Sequence, residues 1–128
     1  MKCAQIFELT ASYIGEEKGA LDFTELGRRL PPLLGAVVTE LAELDKIISS
    51  NAEKDVPACG EIYDENDEFP LCDACAVLCA LRLGVLLVAD ENPQLAAFLN
   101  TEYVRVRAAA VESVQAERHP ITNVYSEI

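Results

Sequence analysis

The chain has 128 residues, 51% of them apolar and only 6% aromatic, with no tryptophan and a net charge of −12 from 22 acids and 10 bases. That length allows one domain with a real core and leaves little room for a second. The charge argues against a duplex- or phosphate-binding surface, because the bases are scattered along the chain, and six prolines and six glycines are too few for a disordered one.

Residues 3–15 read as a first helix, with Cys3, Phe7, Thr10 and Ile14 on one stripe, Ile6, Leu9 and Tyr13 beside it, and Gly15 ending it. The opening MKCAQIFEL has a single lysine, and Glu8 interrupts its apolar run, so it does not read as a secretory signal. The five cysteines, an odd number, are therefore expected to be reduced, in a cytosolic protein without a disulfide framework.

Asp22 opens a second helical region, with Glu25 three residues on as a partner of the capping-box kind. Pro31 and Pro32 remove two amide donors and crowd the preceding turn, so they are expected to stop or kink this helix. The sequence LLGAVVTELAELDKIISS then runs on as an amphipathic core helix. Leu34, Val37, Leu41, Leu44 and Ile48 recur at steps of three and four, while Glu40, Glu43, Asp45 and Lys46 fall largely off that stripe. Residues 51–69 hold Pro57, Gly60 and the acids Glu61, Asp64, Glu65, Asp67 and Glu68, which predicts a loop or a short β-hairpin. The acids lack the glycine and spacing of a calcium loop and read as a solvated face.

Residues 74–89, ACAVLCALRLGVLLVA, are apolar at fourteen of sixteen positions, with Arg82 the only charge. A helix apolar all round is enclosed by other elements or by lipid. This run falls short of the roughly 20 apolar residues of a membrane span and has Asp73, Asp90 and Glu91 at its ends, so it reads as a central buried helix. Asn92 followed by Pro93 is an N-cap followed by a first-turn proline, which starts the next helix at residue 93. Two helices, about 71–89 and 93–118, joined by so short a turn should form an antiparallel hairpin, with Leu95, Phe98, Leu99, Tyr103, Val106, Ala110 and Val114 facing inward. The expected fold is all-α: a small helical bundle centred on that hairpin, one domain over residues 1–118, and an extended tail over 119–128. In the tail, Ile121, Val124, Tyr125 and Ile128 are apolar residues without a periodic partner, suited to docking.

Cys72, Cys75 and Cys79 stand at spacings of three and four, with Cys59 upstream, and share one helical face where thiolates could hold zinc or a cluster. They also sit in the most apolar segment, where free cysteine is commonly a packing residue, and no second C-x-x-C exists; core packing is the stronger reading. His119, the only histidine, stands at a helix end beside Pro120, with no nucleophile and base arranged around it. No phosphate cradle or nucleophile elbow occurs. These absences predict a non-enzymatic protein with no metal and no cofactor. Arg82, inside so apolar a helix, needs a carboxylate or carbonyl partner, within the chain or on a neighbouring subunit.

Several segments together resemble the small head-tail connector, or adaptor, proteins of tailed bacteriophages and of prophages in Gram-positive bacteria. They are QIFELTASYIGEE, LLGAVVTELAEL, YDENDEFPL, ALRLGVLLVADENPQLAAFLNTEYVRVRAAA and ITNVYSEI, with Phe98, Asn100 and Tyr103 matching a Phe-Asn and Tyr pair in character. The resemblance implies a mostly helical subunit that assembles as a homo-oligomeric ring beneath the portal protein, against downstream neck and tail proteins, in the virion neck. It implies a C-terminal tail engaging the portal or a neighbouring subunit, and a ring through which DNA passes without specific binding, away from any membrane. The acidic balance would then keep phosphates off the channel wall. Two other readings stand beside it: a small helical regulator that binds another protein as a dimer, and a thiol or metal protein built on Cys72, Cys75 and Cys79.

Overall fold

A computed structural model describes residues 1–15, 25–55, 57 and 61–118. Four α-helices follow one another there: α1 Cys3–Tyr13, α2 Glu25–Ser49, α3 Ala74–Val88 and α4 Pro93–Arg118. The expected all-α bundle is what forms. Among the described residues the only β-type pairing is an isolated antiparallel bridge between Lys2 and Glu68, and residues 61–69 form a loop; residues 56 and 58–60, where the possible hairpin was expected, lie outside the described residues.

The apolar run becomes α3, and it lies at the centre, packed against each of the other three helices. Cys75, Leu78, Cys79, Ala80 and Leu83 are wholly buried, and Leu81 and Leu87 almost so. Their positions go round the helix instead of following one stripe, so no single neighbour could cover them. Each leucine withdrawn from water in this way contributes about 2 kcal/mol. No helix among the described residues is long and apolar enough to cross a membrane.

Helix α2 departs from expectation, because it runs unbroken through Pro31 and Pro32. A proline inside a helix costs about 3 kcal/mol through its lost donor and its clash with the preceding turn. The buried stripe that outweighs this cost lies on both sides of the prolines, with Leu30 before them and Leu34, Val37, Val38, Leu41 and Leu44 after them. Breaking the helix would unseat one half of that stripe. The start that Asp22 was expected to give lies outside the described residues. At its other end α2 closes with Ser50 in the left-handed region, at φ 58°. The Ser50 amide donates to the Ile47 carbonyl at 3.2 Å and the Asn51 amide to the Lys46 carbonyl at 3.0 Å, which is a Schellman cap. That reversal sends residues 51–55 back along the helix they have just left.

The acidic segment does structural work. The amides of Cys3 and Ala4, in the first turn of α1, donate to the carbonyls of Asp67 at 2.9 Å and Glu65 at 3.0 Å. Those amides have no partner within their own helix. The segment is itself folded by its carboxylates, with Asp67 Oδ2 accepting from the Asp64 amide and Asp64 Oδ1 from the Asn66 amide, both at 2.8 Å. Further back, the Tyr63 amide donates to the Pro31 carbonyl at 3.5 Å, and Tyr63 is buried. Here the loop passes so close to α2 that a Cβ on Gly35 would overlap the Glu61 carbonyl oxygen.

The hairpin of α3 and α4 forms as its sequence signals. Asn92 Oδ1 accepts from the Leu95 amide at 3.1 Å, and the Asn92 carbonyl from the Ala96 amide at 3.0 Å, with Pro93 between them opening the helix. Inward on α4 are Ala96, Leu99 and Val114, buried, and Leu95, Tyr103 and Val106, partly so. Phe98 is a correction: it was placed on the inner stripe and is 62% exposed. One residue turns the helix by about 100°, so a face that seats Ala96 and Leu99 carries Phe98 away from α3.

Candidate functional site

The one cluster of potential ligand groups among the described residues forms where the end of α2 meets the entry to α3. Asp45, Cys72 and Cys75 bring a carboxylate oxygen and two sulfurs within 4.8 Å of one another. Asp45 is placed by α2. It stands four residues after Leu41 and three before Ile48, on the apolar stripe, and is only 2% exposed. The expectation that it falls off the stripe is therefore corrected. Its two oxygens are both engaged: Oδ1 accepts from the Cys72 amide at 2.7 Å, and Oδ2 is 2.7 Å from Lys54 Nζ. Lys54 gets there because the cap at Ser50 folds the chain back. A buried carboxylate that keeps its charge needs this kind of pairing.

Cys72 lies just before α3 and Cys75 in its first turn, with their sulfurs 3.7 Å apart and the Cys75 amide donating to the Cys72 carbonyl at 2.9 Å. Cys72 is half-buried and Cys75 wholly buried. Burial would by itself push the Asp45 carboxyl up. The hydrogen bonds from Lys54 and Cys72, with the Lys54 charge, outweigh it and hold that carboxyl below the usual carboxylate range. The thiols move the other way. Burial, and then the neighbouring Asp45, push Cys72 up; burial, and then Cys72, push Cys75 up further. Both are thus thiols near neutral pH, and a metal would have to displace their protons.

The three-cysteine face is only partly realised. Cys79 is buried in the core and takes no part in the cluster; burial pushes its thiol well up, as expected of a packing residue. Cys3, also wholly buried, has its thiol pushed up to about 11 by burial and the nearby acidic segment. Asp45 and Lys54 are the functional candidates that the sequence reading missed. The available signal was an acid at a core position of α2.

Arg82 finds its partner within the chain. Its Nε and Nη2 reach the Glu40 carboxylate of α2, each at 3.4 Å. The guanidinium stays 28% and the carboxylate 51% exposed. Ile121, Val124, Tyr125 and Ile128, together with His119 and Cys59, lie outside the described residues. Away from the cluster, α4 exposes Phe98 on one side and, about 120° round the helix, Val104, 57% exposed, which borders an open groove lined by Tyr103, Arg107, Ala108, Val111 and Glu112.

The fold thus defines a small all-α bundle. Comparison with protein-family models, curated proteins and solved structures finds no match to this chain.

Proposed function

We propose that this chain is a structural assembly protein: a head-tail connector of a phage or prophage neck, acting as a ring of copies below the portal. The observation that supports it most is the open groove on α4 formed by Tyr103, Val104, Arg107 and Val111, where Val104 is 57% exposed, with Phe98, at 62%, exposed on another side of the same helix. Large apolar side chains left uncovered on a helix are what an assembling subunit covers with its neighbours. The resemblance of the segment order to connector proteins supplies the identity of the neighbours, portal on one side and tail proteins on the other. The charge of −12 suits a ring through which DNA slides without adhering.

Native mass spectrometry and electron microscopy of the chain, alone and mixed with any portal protein encoded near its gene, test this reading. A ring, in solution or only on the portal, supports it. A compact dimer indifferent to portal overturns it in favour of a dimeric regulator, as does a gene neighbourhood without portal or capsid genes.

A further inference from the structure

An assembly role leaves the Cys72, Cys75 and Asp45 cluster unused. Such a donor set suits one of two chemistries, a bound metal or a dithiol. A metal at this place has only three donors among the described residues. One of them, Asp45, already has an ammonium group 2.7 Å from Oδ2 and an amide 2.7 Å from Oδ1. A cation would therefore have to share that carboxylate with Lys54 or expel it. Dithiol chemistry requires no further group. The hydrogen bond from the Cys75 amide to the Cys72 carbonyl, 2.9 Å, closes a turn. The Cα atoms at the ends of a turn lie within about 7 Å, and a disulfide spans about 4.4–6.8 Å. With the sulfurs already 3.7 Å apart, side-chain rotation can bring them to bonding distance without dismantling α3. The pair is also asymmetric in the useful sense, with one partly exposed thiol backed by one that is wholly buried.

We propose that Cys72 and Cys75 form a redox-active dithiol that exchanges with low-molecular-weight disulfides and closes reversibly to an intrachain disulfide at the entry to α3. Cys72, the accessible member, loses its proton to water and attacks one sulfur of the incoming disulfide. A mixed disulfide forms, and the first small thiolate leaves and takes up a proton. Cys75 then loses its proton and attacks the Cys72 sulfur, so that the second small thiol departs. In sum, one disulfide is reduced to two thiols, and two cysteines are oxidised to one cystine. The half-buried position of Cys72 admits a small disulfide more readily than a folded protein. Burial and the Asp45 charge outweigh the hydrogen bonds that Cys75 gives Cys72 and the Lys54 charge near Cys75, so on balance both thiolates are disfavoured. Its exchange accordingly quickens as pH rises. This proposal stands whether or not the chain is a connector.

The test equilibrates the reduced full chain, without oxygen, in mixtures of reduced and oxidised glutathione, then quenches with acid and alkylates the remaining thiols in denaturant. The expected result is a species with two of the five thiols protected, the link mapping to Cys72 and Cys75, its population following the glutathione ratio. Cys75→Ser should hold one glutathione on Cys72, and Cys72→Ser should give neither adduct nor link. Alkylation of all five thiols at every ratio overturns the proposal, as does a link that excludes either residue. Protection that vanishes with a chelator and accompanies one equivalent of zinc also overturns it, and assigns the cluster to a metal instead.

Discussion

Lys54 Nζ lies 2.7 Å from Asp45 Oδ2, and the carboxylate it meets is 2% exposed. This pair ties the chain after α2 to the body of that helix, and the amide of Cys72 ties the entry of α3 to the same carboxylate. Three segments thus meet at one buried charge.

The first prediction is a dependence of stability on pH. Asp45 is held below the usual carboxylate range in the folded chain and returns to about 3.9 on unfolding. A group depressed by folding contributes stability that is fully present above its unfolded pKa and is lost as pH falls through its folded value. Asp45→Asn keeps the acceptor for the Cys72 amide and removes the charge. Near neutral pH it should cost about 2 kcal/mol, less than the 3–5 kcal/mol of a fully buried pair because Lys54 is part exposed. Urea midpoints for both proteins from pH 7 to pH 3 check this: the gap between them should narrow towards the acid end, and a constant gap would count against it.

Gly35→Ala should destabilise the chain even though alanine is the better helix former by about 1 kcal/mol. The added Cβ would overlap the backbone carbonyl of Glu61, which cannot rotate away as a side chain could. The residues that follow Glu61 hold Tyr63 against Pro31, so the strain has to displace that loop. A net loss of about 1–3 kcal/mol is expected from overpacking of this kind, read as a lower melting temperature; an unchanged or higher one refutes it.

Leu83→Asp and Phe98→Asp should behave oppositely. Leu83 is wholly buried, and a carboxylate there has no partner, so the expected result is loss of the cooperative unfolding transition. Phe98 is 62% exposed, and its replacement should change monomer stability by less than about 0.5 kcal/mol. If α4 is an assembly face, the same variant should shift native mass towards the monomer. Failure of Phe98→Asp to fold would mean that this ring belongs to the core.

Arg82→Ala removes a pair with 3.4 Å contacts to Glu40 and considerable exposure on both sides. Pairs of that kind are worth about 0–1 kcal/mol. The variant subunit should therefore melt within a few degrees of the parent. A large loss would show that the guanidinium stem, packed along α3, carries more than its charge.

How much was legible in the sequence depended on whether the signal was local. The run from Cys75 to Val88 announced its burial through composition, and Asn92-Pro93 announced the turn through a chemistry that acts within four residues. The prolines of α2 misled because their cost is local, while the stripe that outweighs it spans Leu30 to Leu44 and acts through tertiary packing. Phe98 misled because a helix with several apolar residues on adjoining faces offers more than one inner stripe. The candidate site was half visible: Cys72 and Cys75 stand three residues apart, but Asp45 and Lys54 reach them only through a fold that joins distant stretches, and charged side chains are commonly assumed to face water.

The bonds from the Cys3 and Ala4 amides to Asp67 and Glu65 also bear on how the chain comes to be folded. A helix of 11 residues, such as α1, is shorter than the roughly 12–15 at which an isolated helix becomes even marginally stable. The groups that complete its first turn belong to residues about 60 positions further on, so α1 is made well before its closing partners. The closing of this helix therefore waits on a segment that is made later, and its apolar side stays uncovered until then.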